Sequence, residues 1–303
     1  MASPSISVAI PAYNAAPWIG ATIDSVLAQT QPPFEVIVVD DGSTDSTVSE
    51  LERFGERIRL IRQENRGPSA AYNRAFAAAT GDYIAMCPAD DIWEPHKLQW
   101  QTETLASDPS IDIAFGHARE FGLSDADYER PPGEGILENE SFRRAMYKVC
   151  LIPAPTALIR RALYERLGQF REDLACEDYE FWMRALAAKA VFYYDPRLLI
   201  NFRRHGANVS ARLLDMREMA YEIHRLYAED LDDPDFARAV MADDLRQIGR
   251  YHLDEGRLDR AGSAYRRSLR YGLSARALVG ALALGVPGLG GAIRRVDTAA
   301  RSA

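Results

Sequence analysis

Apolar and polar positions along the first third of the chain repeat a strand–loop–helix rhythm. Ile6, Val8 and Ile10 alternate, and Pro11-Ala12-Tyr13-Asn14 then breaks the alternation, as a strand entering a loop does. Ile19, Ile23, Val26 and Leu27 follow from Pro17 at helical spacing and predict an amphipathic helix. Val36-Ile37-Val38-Val39 is an unbroken β-branched run, the signature of a strand covered on both faces. It stops at Asp40-Asp41-Gly42-Ser43-Thr44-Asp45, a turn whose side chains can cap the helix carrying Val48 and Leu51. A third short strand is predicted over residues 58–61. An alanine-rich helix is predicted over 69–79, ended by Gly81. An apolar run over 83–86 then ends at Pro88-Ala89-Asp90-Asp91, a helical pattern follows over 95–105, and residues 111–115 form another apolar run. This βαβαβα rhythm with short loops predicts an α/β fold with a doubly wound, mostly parallel sheet.

The second third is less regular. Residues 123–135 are polar, contain Pro131-Pro132 and read as a loop, and 138–149 read as a helix. Residues 156–159 predict a strand and 161–167 a helix. A loop over 168–173 leads to a helix in which Phe181, Ala185 and Leu186 are spaced from Asp178. Strands are predicted at 191–194 and 198–202. Beyond residue 212 the pattern is helical throughout, at 216–226, 236–253 and a third helix through 269. Gly249, Tyr251, Gly256, Ala261 and Tyr265 resemble a single tetratricopeptide hairpin; a solenoid needs about three such units, so this is an appended hairpin. The predicted organisation is a catalytic domain over 1–212 and an α-helical region over 213–303.

Composition narrows the options. At 303 residues, 47% hydrophobic and 26% charged, the chain is of ordinary globular type. A net charge of −8 argues against general nucleic-acid binding. From Arg257 onward nine arginines face only Asp259 and Asp297, a local +7 that leaves −15 for the preceding part. Such a tail could stay packed on the protein or meet an anionic membrane surface. Cys87, Cys150 and Cys176 show no disulfide or zinc spacing and read as small apolar residues, so a reducing, cytoplasmic setting is expected. The start of the chain lacks the pattern of a secretory signal. The uncharged stretch over 277–293 holds five glycines and Pro287, and falls short of the ~20 apolar residues of a spanning helix.

Two acidic pairs carry the candidate chemistry. Asp90-Asp91 follows the carboxyl end of a buried strand, where open α/β sheets bind ligands, and offers hard oxygen ligands for Mg²⁺ or Mn²⁺. Glu177-Asp178 opens a helix. Aspartate also favours helix starts for structural reasons, so capping is the alternative for both pairs. There is no G-x-G-x-x-G and no G-x-x-x-x-G-K-[ST], so neither common glycine cradle for phosphate is present. A divalent cation is then the natural bridge to a phosphate. His96, His117, His224 and His252 sit on helical or strand-end patterns without evident partners and read as structural, as do Tyr179, Trp182 and Trp93.

Taken in order, Val8-x-Ile10-Pro11-x-Tyr13-Asn14, Val38-Val39-Asp40-Asp41-Gly42-Ser43-Thr44-Asp45, Asn65-x-Gly67 with Ala71-x-Asn73, Gly81-Asp82-Tyr83-Ile84, Asp90-Asp91, Glu177-Asp178 with Trp182 and Arg184, and Arg203-Arg204-His205 with Asn208 and Ser210 resemble the family 2 glycosyltransferases. The resemblance spans roughly residues 5–210. It implies the A-type nucleotide-sugar-binding fold and a reaction that inverts the anomeric centre. By resemblance, Pro11, Ala12 and Tyr13 line the base of a donor nucleotide, and Asp41 accepts a hydrogen bond from a uracil or thymine N–H. Asn65, Gly67, Asn73, Asp90, Arg203 and Arg204 complete the nucleotide-sugar site. Asp90, with Asp91 and His205, holds Mn²⁺ or Mg²⁺ against the diphosphate. Asp178, beside Glu177, is the general base toward a hydroxyl of a glycan or lipid-linked acceptor. One departure is Pro88, which stands where relatives often carry a first aspartate and can bind neither metal nor ribose. Two rival expectations differ in class: a non-catalytic scaffold of the same fold acting through its helical tail, and a nucleotidyltransferase. The latter would normally carry a glycine- and lysine-bearing loop after the first strand, which residues 11–14 do not provide.

Overall fold

The computed structural model describes residues 4–174, 177–206, 208, 212–272 and 275–283. The chain divides into two compact units, Met1–Asn208 and Val209–Ala303.

The first unit runs β1 (Ile6–Ala12), α1 (Ile19–Leu27), β2 (Glu35–Asp40), α2 (Thr47–Glu52), β3 (Arg59–Arg62), α3 (Pro68–Ala78), β4 (Tyr83–Met86), β5 (Ile92–Trp93), α4 (Lys97–Ser107), β6 (Ile113–Gly122), β7 (Gly135–Leu137), α5 (Glu140–Lys148), β8 (Leu158–Arg160), α6 (Arg161–Leu167), α7 (Asp178–Ala187) and β9 (Phe192–Arg204). The strands form one sheet in the order β3-β2-β1-β4-β8-β6-β9-β5, with β7 also on β9. The block β3-β2-β1-β4 is parallel, as the β-branched runs predict. Beyond it the sheet is mixed: β8 lies antiparallel between β4 and β6, β9 is parallel to β6, and β5 and β7 are antiparallel to β9. A strand of two or three residues carries no periodicity from which its direction could be read. The two strands expected at 191–194 and 198–202 are one strand, β9. Its pairing with β6 shifts register on either side of His117, where Pro196, Arg197 and Leu199 are left out of the ladder.

Ile6, Val8, Ile10, Val36 and Val38 pack with Ile19, Ile23, Val26, Trp93 and Leu98 into one core. At about 25 cal/mol per Å² of buried apolar surface, this core is the main source of the unit's stability. Cys87 is fully buried, as its small-apolar reading requires, and Cys150 is partly buried; Cys176 lies outside the described residues. The helix α4 starts two residues later than expected, because Ile92 and Trp93 are spent on β5.

The second unit comprises α8 (Leu213–Leu226), α9 (Pro234–Asp254), α10 (Leu258–Ser268) and α11 (Ala275–Ala283). Asp233 caps α9 by accepting from the Phe236 N–H at 2.9 Å, the first-turn pattern that Asp-Pro signals. His224 is not partnerless: its Nδ1 lies 2.5 Å from Asp244 Oδ2, and Arg217 reaches the other oxygen at 3.1 Å. His117 likewise meets Asp127 at 3.1 Å, and His252 faces Glu218 at 3.6 Å. The uncharged stretch is described only as far as residue 283, and most of it lies outside the described residues. No helix among the described residues is long and apolar enough to cross a membrane.

Candidate active site

Three neighbouring parallel strands, β1, β2 and β4, deliver their carboxyl ends to one edge of the sheet. From β1, Pro11 is partly buried, Ala12 is buried, and its carbonyl accepts from the Asp41 N–H at 2.8 Å. Tyr13 is left half exposed at 50%, which suits a ring that must meet a ligand. Asn14 takes a positive φ of 49° and ties this loop to the next by accepting from the Thr44 N–H at 2.8 Å.

Asp41, at the end of β2, is 3% exposed and fully engaged in shaping the adjoining loop. Its Oδ1 accepts from Gln63 Nε2 (2.8 Å) and from the Arg66 N–H (2.9 Å), while Oδ2 accepts from the Gly67 N–H (2.8 Å). Three of about four lone-pair sites are therefore occupied, leaving room for one further donor such as a base N–H. Gly42 makes the turn feasible: φ is +76°, and a Cβ there would lie 2.8 Å from the Asn65 backbone nitrogen. Asn65 is exposed, and Gly67 caps α3 with φ +87°. Asn73 is placed differently from a ligand contact. Its amide donates to the Phe170 carbonyl (2.9 Å) and to Glu172 (3.2 Å), and accepts from the Phe170 N–H (2.8 Å). Buried at 4% exposure, it fastens the loop that leads to the second acidic pair, and Arg66 joins the same loop through Glu172 at 2.8 Å.

The two-residue strand β5 assembles the other half of the site. It pairs antiparallel with β9, Ile92 opposite Asn201 and Trp93 opposite Ile200, which carries Arg203 onto Asp90-Asp91. Arg203 donates its backbone N–H to Asp91 Oδ1 and its Nε to the Asp90 carbonyl, both at 2.9 Å. Arg204 instead turns to Glu120, donating its Nε at 2.7 Å. Asp91 is fully buried; burial and the neighbouring Asp90 hold its carboxyl well above the usual range. Asp90 keeps an accessible carboxylate. Its Oδ2 lies 2.9 Å from His205 Nε2 and accepts from Asn208 Nδ2 at 3.2 Å.

Glu177 and Asp178 stand at the first turn of α7. Tyr179 anchors that turn by donating its hydroxyl to the Met146 carbonyl at 2.8 Å, and Trp182 is fully buried behind it. Arg184 ties down the preceding loop through the Leu167 and Gln169 carbonyls at 2.9 and 2.8 Å. Asp178 Oδ1 accepts from the adjacent Tyr179 N–H at 2.6 Å, a local bond rather than a helix cap, and no side chain caps the start of α7. Glu177 retains some exposed surface, but its carboxyl is enclosed. Desolvation and the adjacent Asp178 push its pKa up to about 8. The enclosed Glu177 carboxyl therefore favours its protonated form at neutral pH.

The two acidic pairs share one electrostatic neighbourhood. The Tyr72 hydroxyl is buried without a hydrogen-bond partner; burial and the charges of Glu177, Cys87, Asp91 and Asp90 raise its pKa well above normal. Tyr128 is raised by burial and lies in the fields of both Asp91 and Asp178. As a metal site, Asp90 and His205 supply one carboxylate oxygen and one imidazole nitrogen. Among the described residues no cluster of three or more His, Cys, Asp or Glu is formed. The carboxylate suits Mg²⁺ or Mn²⁺; Mg²⁺ is held through one or two carboxylates plus substrate phosphates rather than in an all-protein cage, and the imidazole is a ligand typical of transition metals. Trp18 and Tyr72 escaped the sequence reading, because a tryptophan before a helix and a tyrosine within one both read as packing.

Residues 7–168 match the family described as Glycosyl transferase family 2. An uncharacterized glycosyltransferase of Rickettsia typhi is 31% identical over 71% of this chain and 69% of its own length. Among solved structures, S. aureus TarS in complex with UDP-GlcNAc superposes with a TM-score of 0.67 at 19% identity, over 98% of this chain and 92% of that one. The mannosyltransferase PcManGT of Pyrobaculum calidifontis, in complex with GDP-Man and Mn²⁺, gives 0.59 at 21% identity over 97% and 84%. The fold is thus that of nucleotide-sugar-binding proteins, and the chain is a glycosyltransferase belonging to family 2.

Proposed function

We propose that the chain transfers a sugar, with inversion, from a uridine or thymidine diphosphate sugar to a hydroxyl of a glycan or lipid-linked acceptor in surface-polysaccharide or glycoconjugate synthesis. The observation that carries this reading is the pair of acidic sites, Asp90 with its carboxylate against His205 and Glu177-Asp178 at the first turn of α7. Asp178 accepts the acceptor's hydroxyl proton as that oxygen bonds to the anomeric carbon, and the bond from that carbon to the diphosphate oxygen breaks on the opposite face. Tyr13 and Asp41 receive the base, and Arg203 contributes positive charge beside Asp90. Mn²⁺ or Mg²⁺, held by Asp90 and His205, would supply charge stabilisation for the departing diphosphate.

Replacing Asp178 by Asn tests the assignment. A positioned base contributes roughly 10²–10⁴-fold, so turnover should fall by that factor while Mn²⁺-dependent thermal stabilisation by the donor persists. Retained turnover would remove Asp178 as base; loss of both would point to a scaffold role for its turn. A peripheral membrane contact rests on the solvent face of α10, where Arg260, Arg266 and Arg267 are exposed. Each basic residue near an anionic surface contributes about 1 kcal/mol. Sedimentation with phosphatidylglycerol vesicles, lost on truncation at Arg257, is the expected result, and unchanged sedimentation would exclude the tail.

A further inference from the structure

The ring of His205 is held by three residues, and one of them, Trp18, comes from the loop after β1. Trp18, the residue before α1, stacks on it with ring centroids 3.9 Å apart and planes inclined by only 12°. In the plane of the imidazole, Nε2 meets Asp90 Oδ2 at 2.9 Å and Asn208 Nδ2 at 3.2 Å. Asn208 also accepts from the His205 backbone N–H at 2.7 Å, folding the end of β9 back on itself. Each contact removes a different freedom. The Asn208 bond fixes where the backbone emerges, the Asp90 contact sets the direction of Nε2, and the indole face blocks rotation of the ring out of its plane. Trp18 is itself fixed: it packs partly buried against the core of the first unit, and its backbone N–H donates to the Ala15 carbonyl at 2.9 Å. The loop that carries Trp18 is the loop that carries Tyr13.

We propose that Trp18 is a positioning residue for diphosphate and metal capture: it orients His205 toward the oxygen of Asp90 and couples that end of the site to the loop expected to meet the nucleotide base. The inference rests on the assignment of Asp90 and His205 as the metal-binding pair. Without the indole the imidazole gains rotamers that turn Nε2 away from Asp90, and the ligand pair must be reassembled at each binding event. Because stacked aromatic pairs contribute a modest free energy, the expected weakening of binding is about two- to tenfold.

The test is a double-mutant cycle read as binding, independent of turnover. Mn²⁺ affinity is measured by electron paramagnetic resonance with UDP, dTDP and GDP each in turn, for the wild type, Trp18→Ala, His205→Ala and the double variant. Trp18→Phe serves as the conservative rescue, and thermal melting confirms that each variant is folded. The expected result is weaker Mn²⁺–nucleotide binding in Trp18→Ala, no further weakening when Trp18→Ala is added to His205→Ala, and recovery of most of the affinity in Trp18→Phe. Equal losses from Trp18→Ala with and without His205 would overturn the proposal while leaving the metal assignment intact. If His205→Ala alone leaves Mn²⁺ binding unchanged with every nucleotide, the metal assignment itself fails, and the proposal with it. Should Trp18→Ala not fold, Trp18→Phe and Trp18→Leu in both His205 backgrounds give the same comparison.

Discussion

Replacing Glu177 by Gln should change how the stability of the first unit depends on pH, and the direction follows from the enclosure of its carboxyl. In the folded chain the proton of Glu177 is retained up to about pH 8, whereas an exposed glutamate releases it near 4.5. Between these values the folded state binds a proton that the unfolded state has released, so the contribution of Glu177 to stability is complete below about 4.5 and is lost as pH rises toward 8. At 1.36 kcal/mol per pH unit, the loss across the window is on the order of 3–5 kcal/mol. Glutamine is neutral at every pH and nearly isosteric. The variant should match the wild type near pH 4.5 and exceed its stability by a few kcal/mol at pH 9. Urea unfolding followed by tryptophan fluorescence suits the measurement, because Trp18, Trp93, Trp100 and Trp182 all lie in the first unit and report on it alone. Taking the difference between the two proteins at each pH cancels other titrating groups, among them Lys97, whose burial lowers its pKa to about 7. Parallel stability curves from pH 4.5 to 9 would refute the enclosure of the Glu177 carboxyl.

Two further substitutions probe the same neighbourhood. Tyr72→Phe removes a buried hydroxyl that has no partner, so it should stabilise the protein by about 1 kcal/mol and leave nucleotide binding intact. A lower urea midpoint would show that the hydroxyl is satisfied in solution. Asn73→Ala strands the N–H and carbonyl of Phe170 and frees Glu172, at a cost of about 2–4 kcal/mol; a loss below 0.5 kcal/mol, roughly the effect of a surface change, would mean that the loop is held by its aromatic contacts instead.

How much of this was legible in the sequence depended on the length of the signal. β1 and β2 could be read because six or seven residues of β-branched or alternating character leave a pattern, and α6 because seven residues carry a helical one. The turn at Asp40-Asp41-Gly42 was legible as a turn, but not the three bonds that occupy Asp41, since these depend on where residues 63–67 return. The position of Asn73 in a motif matched that of a nucleotide contact, yet its amide faces Phe170 across a separation in sequence that no local pattern encodes. The stack of Trp18 on His205 joins opposite ends of the first unit and left no trace at either.

The pair Asp90-Asp91 shows what a two-residue strand can decide. Sequence ranks Asp90 above Asp91 only by analogy, but burial and partners separate them on physical grounds. Asp90 lies in the turn before β5 and Asp91 directly precedes the strand, so the two carboxylates meet different surroundings. Pairing of β5 with β9 settles which one is turned inward: Asp91 receives the Arg203 N–H and is buried, and Asp90 keeps an oxygen for His205 and Asn208. Which of the two carboxylates stays accessible is therefore decided by where β9 returns, which neither aspartate encodes.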